Sequence, residues 1–317
     1  MTTSGSTTFN PTTYAILKRS LRMVGAYATT DEPRPEQLTD ALEVMNMMLK
    51  SWQVDNFLWL RLPCTLFLNK GQTSYNLTDA TGFSHCVTAY TQTTLAATAA
   101  TGAGTLSLTS SAGMADGDYI GVASDNGVIE WFAATFAGNI ATLSGVTTAN
   151  ASSGNVVYSH TTASQIKRPT RIFQANRKLY DSVAENGIEI PLMITGRDDY
   201  MILPNKTVQS KTTQVYYDPQ LVTGILYVWP TADTPKDKIK MVIDRPIQDM
   251  LTDTDTYDVP QEWLDCICYG LAVRLAPEYG ISISERGLLD AEYKSLREAV
   301  SSYDRENSAS SIQRQYQ

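Results

Sequence analysis

The sequence predicts an α+β fold: a helical bundle built from N- and C-terminal helices with an antiparallel β region, plus an inserted small all-β barrel or sandwich module. Three observations carry this expectation. Apolar residues recur at helical spacing near the two ends of the chain. The middle alternates with a period of two and is punctuated by Gly, Pro and Asn turns. No Lys or Arg occurs between Lys70 and Lys167, a stretch made mostly of Thr, Ala, Ser and Gly. That compositional break marks an insert. The expected organisation is a host domain from 1–83 and 164–303, an inserted β domain at 84–163, and a flexible polar C-terminal arm at 304–317.

The elements follow in order. Residues 14–24 read as a helix with Ile16, Leu17, Leu21 and Val24 on one face. A loop at 30–35 offers capping residues to the next helix. In that helix Leu38, Ala41, Leu42, Met45, Met48, Leu49 and Trp52 face inward, and Glu36, Asp40, Glu43 and Lys50 face water. Extended stretches follow at 60–68 and 74–77. Inside the insert, 105–109 alternates, and Asn126-Gly127 joins 119–122 to 128–132 as a hairpin, since both residues tolerate positive φ. Further short strands are expected at 140–143 and 155–158. The extended pattern resumes at 168–172, 189–192, 214–217, 225–229 and 239–243.

Two helices close the chain. Pro260 stands at a helix start, where its missing N–H costs nothing. Trp263, Leu264, Ile267, Leu271 and Leu275 form the buried stripe, and Pro277 and Gly280 end it. Ser282 and Glu285 can form a capping box for a last helix in which Leu289, Tyr293, Leu296 and Val300 recur to about Tyr303.

Composition narrows the function. The net charge of −8 argues against gripping DNA phosphates, which needs a basic face, though not against DNA passing nearby. No run of about 20 apolar residues exists to span a bilayer, and the polar N-terminus is not a secretory signal. The protein is therefore expected in a cytoplasm, or in a particle assembled there. Four cysteines, Cys64, Cys86, Cys266 and Cys268, make no dense disulfide framework, which fits a reducing compartment. Cys266 and Cys268 point about 200° apart on a helix, which suits small core or interface residues better than a metal grip.

Candidate chemistry is sparse. His85 and His160 lie near the two ends of the insert, and with Cys86 they lack further ligands for a metal. They read as junction residues, and no metal or cofactor is expected. Asp198 and Asp199, and Asp253, Asp255 and Asp258, lie in polar stretches and read as turn caps or solvated loops. The sharper reading makes Asp253 and Asp255 an acid-lined channel rim. Tyr200, Tyr216, Tyr217, Tyr227 and Trp229 alternate with Val, Ile and Leu, which favours a core or interface over a sugar platform. Arg274 and Glu278, four apart, form an ordinary ion pair or carry Arg274 across to a neighbouring subunit. Nucleophile elbow, phosphate loop, zinc motif and dinucleotide fingerprint are absent from the sequence, and an enzyme is not expected.

One ordered set of pieces carries a resemblance. It runs from Ala15-Ile16-Leu17-Lys18-Arg19-Ser20-Leu21-Arg22-Met23-Val24-Gly25, through a helix ending Leu49-Lys50-Ser51-Trp52, to Lys70-Gly71-Gln72-Thr73-Ser74-Tyr75. It continues with Arg168-Pro169-Thr170-Arg171-Ile172, Tyr216-Tyr217-Asp218-Pro219 and Leu226-Tyr227-Val228-Trp229-Pro230. It closes with Val259-Pro260-Gln261-Glu262-Trp263-Leu264 and Leu275-Ala276-Pro277-Glu278-Tyr279-Gly280. Together these resemble the head-to-tail connector adaptor of short-tailed bacteriophages, the packaged-DNA stabilisation or tail tubular protein A-like family. The resemblance covers roughly residues 12–82 and 165–303, and the insert departs from it.

The resemblance implies a virion structural protein at the head-tail junction, assembled in the host cell cytoplasm. It implies a dodecameric ring under the portal that extends the DNA channel, retains packaged DNA and offers a docking platform for the tail nozzle and fibres. DNA would pass through without sequence-specific binding. The arm would anchor on the portal through Tyr303, Arg305, Ile312, Arg314 and Tyr316, and subunits would meet at Trp263, Arg274 and Glu278. The insert would face outward for decoration or fibre docking, and its deletion is expected to leave ring assembly intact. A receptor- or carbohydrate-binding tail protein and a tail-associated wall hydrolase are the alternatives.

Overall fold

A computed structural model describes residues 9, 11–28, 30–55, 57–78, 85–181 and 186–304. The fold is mixed α+β, with five helices and three antiparallel or mixed sheets among the described residues, none closed into a barrel. The helices are α1 (Thr13–Met23), α2 (Pro35–Trp52), α3 (Arg197–Ile202), α4 (Leu264–Leu275) and α5 (Ile283–Tyr303). The chain divides into two compact units, Met1–Leu60 with Pro246–Gln317, and Arg61–Arg245. The expected boundaries at 83/84 and 163/164 fall inside the second unit.

In the first unit α1, α2 and α4 share one core, and α5 lays a half-buried face on it. Ile16, Leu17 and Leu21 of α1 are buried, as their spacing predicts. No side chain caps α1. Its orphan N–H groups are met from far along the chain: Thr13 and Tyr14 donate to the carbonyls of Asp255 and Asp253 at 3.3 and 2.7 Å. In α2, Pro35 takes the first turn and the Gln37 side chain accepts from the Arg34 N–H at 3.0 Å.

The helix expected at Pro260 starts with a 3-10 turn, Gln261–Trp263, and becomes α-helical at Leu264. It is also more buried than a single stripe. Cys266, Cys268, Gly270 and Ala272 join Leu264, Ile267, Leu271 and Leu275 inside, because helices pack on more than one side of α4. Gly270 makes the closest of these approaches possible. A Cβ there would lie 2.8 Å from Tyr293 Cε2 of α5 and 3.0 Å from Met48 Sδ of α2. The Ser282–Glu285 capping box forms at the start of α5.

Among its described residues the second unit holds fifteen strands. They run β1 (Arg61–Phe67), β2 (Ser74–Leu77), β3 (Cys86–Val87), β4 (Thr91–Thr94), β5 (Thr105–Ser107), β6 (Tyr119–Ala123), β7 (Ile129–Ala137) and β8 (Ile140–Leu143). Then come β9 (Val156–His160), β10 (Arg171–Lys178), β11 (Glu189–Pro191), β12 (Met193–Ile194), β13 (Gln214–Pro219), β14 (Gly224–Trp229) and β15 (Lys238–Asp244). A five-stranded sheet, β11-β10-β15-β1-β3, and a four-stranded sheet, β12-β13-β14-β2, enclose a common core of Leu66, Leu77, Val215, Leu226, Val228, Ile239, Met241 and Ile243. The β12–β13 pair is parallel; the other ladders are antiparallel. The sequence pattern misses β3, β4, β12 and α3, all too short to show a period.

The third sheet, β4-β9-β6-β7-β8-β5, takes all its strands from the cation-free stretch. Its inner face buries Leu106, Ile120, Val122, Ala141 and Val157. Beyond its outermost strands Leu95 bridges Leu108, with the Ala96 N–H donating to the Ser107 carbonyl and the Thr109 N–H to the Thr94 carbonyl, but the ladder is not closed into a barrel, one of the two forms expected. The Asn126-Gly127 hairpin forms between β6 and β7, but Gly127 alone takes positive φ (+88°), while the Asn126 side chain accepts from the Val128 N–H. A further cluster joins Phe67 of β1 and Val87 of β3 to Ile129, Trp131, Val156 and Tyr158 of the third sheet.

Candidate functional site

The described residues with a predicted assembly role all lie in the first unit. α5 spans 21 residues and none of them is buried. One face rests on the core through Leu289, Tyr293, Leu296 and Val300, and Ile283 and Leu288 stand in solvent. Its last residue, Tyr303, is 81% exposed. The other arm residues, Arg305, Ile312, Arg314 and Tyr316, lie outside the described residues.

Two polar clasps fix the end of α5. Arg297 pairs with Asp55, donates to the Tyr293 hydroxyl at 3.0 Å and lies 5.5 Å from the Trp52 ring centre. The Asp304 carboxylate accepts from the Leu58 N–H at 2.9 Å. Between them opens a shallow cavity of about 580 Å³, lined by Val54, Asp55, Phe57, Arg297, Ser301 and Asp304. The mouth lies at the root of the C-terminal segment.

The three residues expected at a subunit contact separate. Trp263 is 2% exposed and sits 4.5 Å from Phe57 and 5.5 Å from Trp52, ring centre to ring centre. Its ring serves this unit's own core, so it offers no surface to a neighbour. Arg274 and Glu278 are exposed, and Arg274 donates to Ser51 Oγ on α2 at 3.0 Å.

Asp253 and Asp255, the expected rim, cap α1 with their backbone carbonyls. The Asp255 carboxylate also closes its own turn. Hydrogen bonds from the Thr252 N–H, the Thr252 hydroxyl and the Leu251 N–H hold its pKa below the usual value. Asp258 accepts from the Gln248 N–H at 2.9 Å. Asp198 and Asp199 leave the expected loop and occupy the first turn of α3, where the helix dipole favours them.

The remaining candidates are structural in placement. Burial pushes the Cys266 thiol up to about 12 and the Cys268 thiol up to about 11. His85 and His160 both face the Trp131 ring, at 6.1 and 4.9 Å. Among the described residues no group of three or more His, Cys, Asp or Glu side chains is placed to hold a metal ion. Tyr200 of α3 stacks with Tyr216 and Tyr227 of the four-stranded sheet at 5.2–5.6 Å.

Sequence reasoning missed two buried lysines, Lys178 and Lys238, which are 4% and 1% exposed. Lys238 is fully enclosed, donates to Gln92 Oε1 at 2.6 Å and lies 5.0 and 5.1 Å from the Tyr90 and Tyr158 rings. No local signal could have found it, since its partners lie 80 or more residues away in the cation-free stretch.

No helix among the described residues is long and apolar enough to cross a membrane. Comparison with models of known protein families, and with curated proteins, gives no match.

Proposed function

We propose that the protein is a virion structural protein, a head-to-tail adaptor that assembles as a dodecameric ring under the portal of a short-tailed bacteriophage. It extends the DNA channel, retains packaged DNA and gives the tail nozzle and fibres a platform. The ordered motifs that resemble that family support the reading. The observation that carries it is α5, a 21-residue helix with no buried side chain that ends on exposed Tyr303 and runs into a polar terminal segment. A helix held on one face has its other face left for a partner.

In this reading the helices form a bundle that makes the ring wall. Residues 304–317 dock on the portal through Tyr303, Arg305, Ile312, Arg314 and Tyr316. Arg274 and Glu278 face the next subunit, and the half-exposed Asp253 carboxylate lies at the channel rim. The stretch 84–163 is an outward module for fibre docking. No bond is made or broken; the work is positional. Twelve weak contacts to a ring add as avidity.

The test is a pull-down of tagged protein from infected-cell lysate, with mass spectrometry and negative-stain imaging. The expected result is a portal ring with a second ring stacked beneath it, lost when residues 307–317 are deleted. Recovery with fibre proteins alone would sink the reading. A carbohydrate-binding tail protein is the second reading. The half-exposed Tyr227 and Trp229 beside Tyr216 favour it, and glycan-array binding would reveal it.

A further inference from the structure

We infer that copies of this chain join by seating the acidic face of α2 from one copy on the cationic face of α1 of the next. The inference rests on the ring reading and names the contact that reading leaves open.

The two helices carry opposite charge. α1 contains Lys18, Arg19 and Arg22 and no Asp or Glu. With Ala15 and Met23 these line a shallow depression of about 550 Å³. α2 presents Glu36, Asp40 and Glu43 at i, i+4 and i+7, a single exposed row about 10 Å long. Among the described residues none of the three makes an ion pair or a side-chain hydrogen bond. Beside the row lies a second depression of about 480 Å³, flanked by Met47 and Leu251, which are 54% and 83% exposed. Each surface therefore couples a charged row to apolar side chains, Met47 and Leu251 on one and Met23 on the other. That is the make-up of an interface core with a polar rim.

The charges identify the occupant. With a net charge of −8, two copies repel unless their contact sets opposite charges together. The α1 face is where cations cluster, and the α2 row holds carboxylates without partners. The α1 cations do have internal neighbours. Lys18 meets Glu32 at 2.6 Å and Arg19 meets Asp265 at 3.2 Å, but those carboxylates are 66% and 63% exposed. The Arg19 pair, exposed at both ends, is weakly held and exchanges readily, whereas Lys18 is 26% exposed and shares Glu32 with the Tyr14 hydroxyl. Arg22 lies 5.7 Å from the Tyr27 ring centre, its guanidinium open to a further anion. A contact joining two different surfaces of one chain is heterologous, so it repeats head to tail and closes a ring when the rotation allows.

The experiment uses the full chain at low ionic strength, read by sedimentation velocity and negative-stain imaging. Wild type should self-associate, and raising the salt should weaken it. Arg19→Glu with Arg22→Glu should weaken association at least tenfold, and so should Asp40→Lys with Glu43→Lys. Neither pair touches the core, so circular dichroism and thermal midpoints should stay near wild type. The decisive arm is a mixture. The two variants, each weakened alone, should co-assemble when combined, because the acidic α2 of the α1 variant then meets the cationic α1 of the α2 variant, and at the next contact the lysine-bearing α2 meets the glutamate-bearing α1. All four substitutions in one chain should also restore assembly. A monomeric wild type, variants that assemble like wild type, or a mixture that stays inert would each overturn the inference. So would loss of duplex-DNA binding in the α1 variant with self-association unchanged, which would assign that face to nucleic acid. Variants that still form a ring on the portal would place the contact elsewhere and leave the adaptor reading standing. A wild type that never engages the portal would end that reading whatever the copies do with one another.

Discussion

Burial pulls the His85 imidazole down to a pKa of about 4, and the neighbouring His160 acts in the same direction. An unfolded histidine titrates near 6.5. Between those values the unfolded chain binds the proton that the folded chain refuses, so stability is intact above about pH 6.5 and falls as the pH drops toward 4. The full effect is roughly 3 kcal/mol. The carboxylates held low by hydrogen bonds, Asp255 and Asp125, lose their contribution only further down, as the pH falls through their folded pKa values. Urea unfolding at pH 7 and pH 5 separates the two groups. His85→Asn should reduce the loss between those pH values relative to wild type, and an unchanged pH slope would show that His85 is not its source. Trp263 makes a related point. The sequence marks it as a large aromatic on a helix, a description that fits an interface as well as a core. Its three ring neighbours, Trp52, Phe57 and Trp59, decide for the core.

Among the helices, α4 and α5 are held very differently. α4 is buried on several sides, and α5 on none beyond its half-buried face. Their contact depends on Gly270, where a methyl group would meet Tyr293 at under 3 Å. Gly270→Ala should therefore destabilise the first unit by about 1–3 kcal/mol, despite the better helix propensity of alanine. Hydrogen exchange should show α5 amides losing protection first, since the substitution pushes that helix away. If α5 protection is untouched while α2 opens, Met48 rather than Tyr293 gives way. The short elements behave as the sequence could not foretell. β12 and α3 exist because the chain between β11 and β13 is pinned at both ends, and no periodicity announces two strand residues or six helical ones.

Across the molecule, the cation-free stretch is bound closely into the second unit. Phe67 of β1 is fully buried against Trp131 and Tyr158, and Lys238 of β15 is enclosed by Gln92, Tyr90 and Tyr158. Deleting 84–163 would expose Phe67 and strip a buried ammonium of its partners, a costly combination. The expected outcome is a chain whose second unit loses its cooperative thermal transition. An unchanged transition would show that the stretch is an independent module after all. Lys238→Met gives the gentler version. It removes the buried charge and keeps most of the volume, so it should be tolerated far better than the deletion, read by the same thermal midpoint.

The sequence by itself determined the kinds of element and most of their places: α1, α2, α4, α5, the β6–β7 hairpin, and the strands from β13 to β15. Those signals are local, because a helix face repeats within four residues and a strand face within two. It also marked the stretch without Lys or Arg as a run of short strands, but two of those strands, β2 and β3, join the other two sheets. What only the tertiary structure decided was which surfaces remain. Trp263 went inside, Lys238 found its Gln92 partner 146 residues away, and Asp253 and Asp255 turned their carbonyls onto a helix start 242 residues or so upstream. Partners so distant in sequence meet by packing, and packing leaves no period in the chain to read.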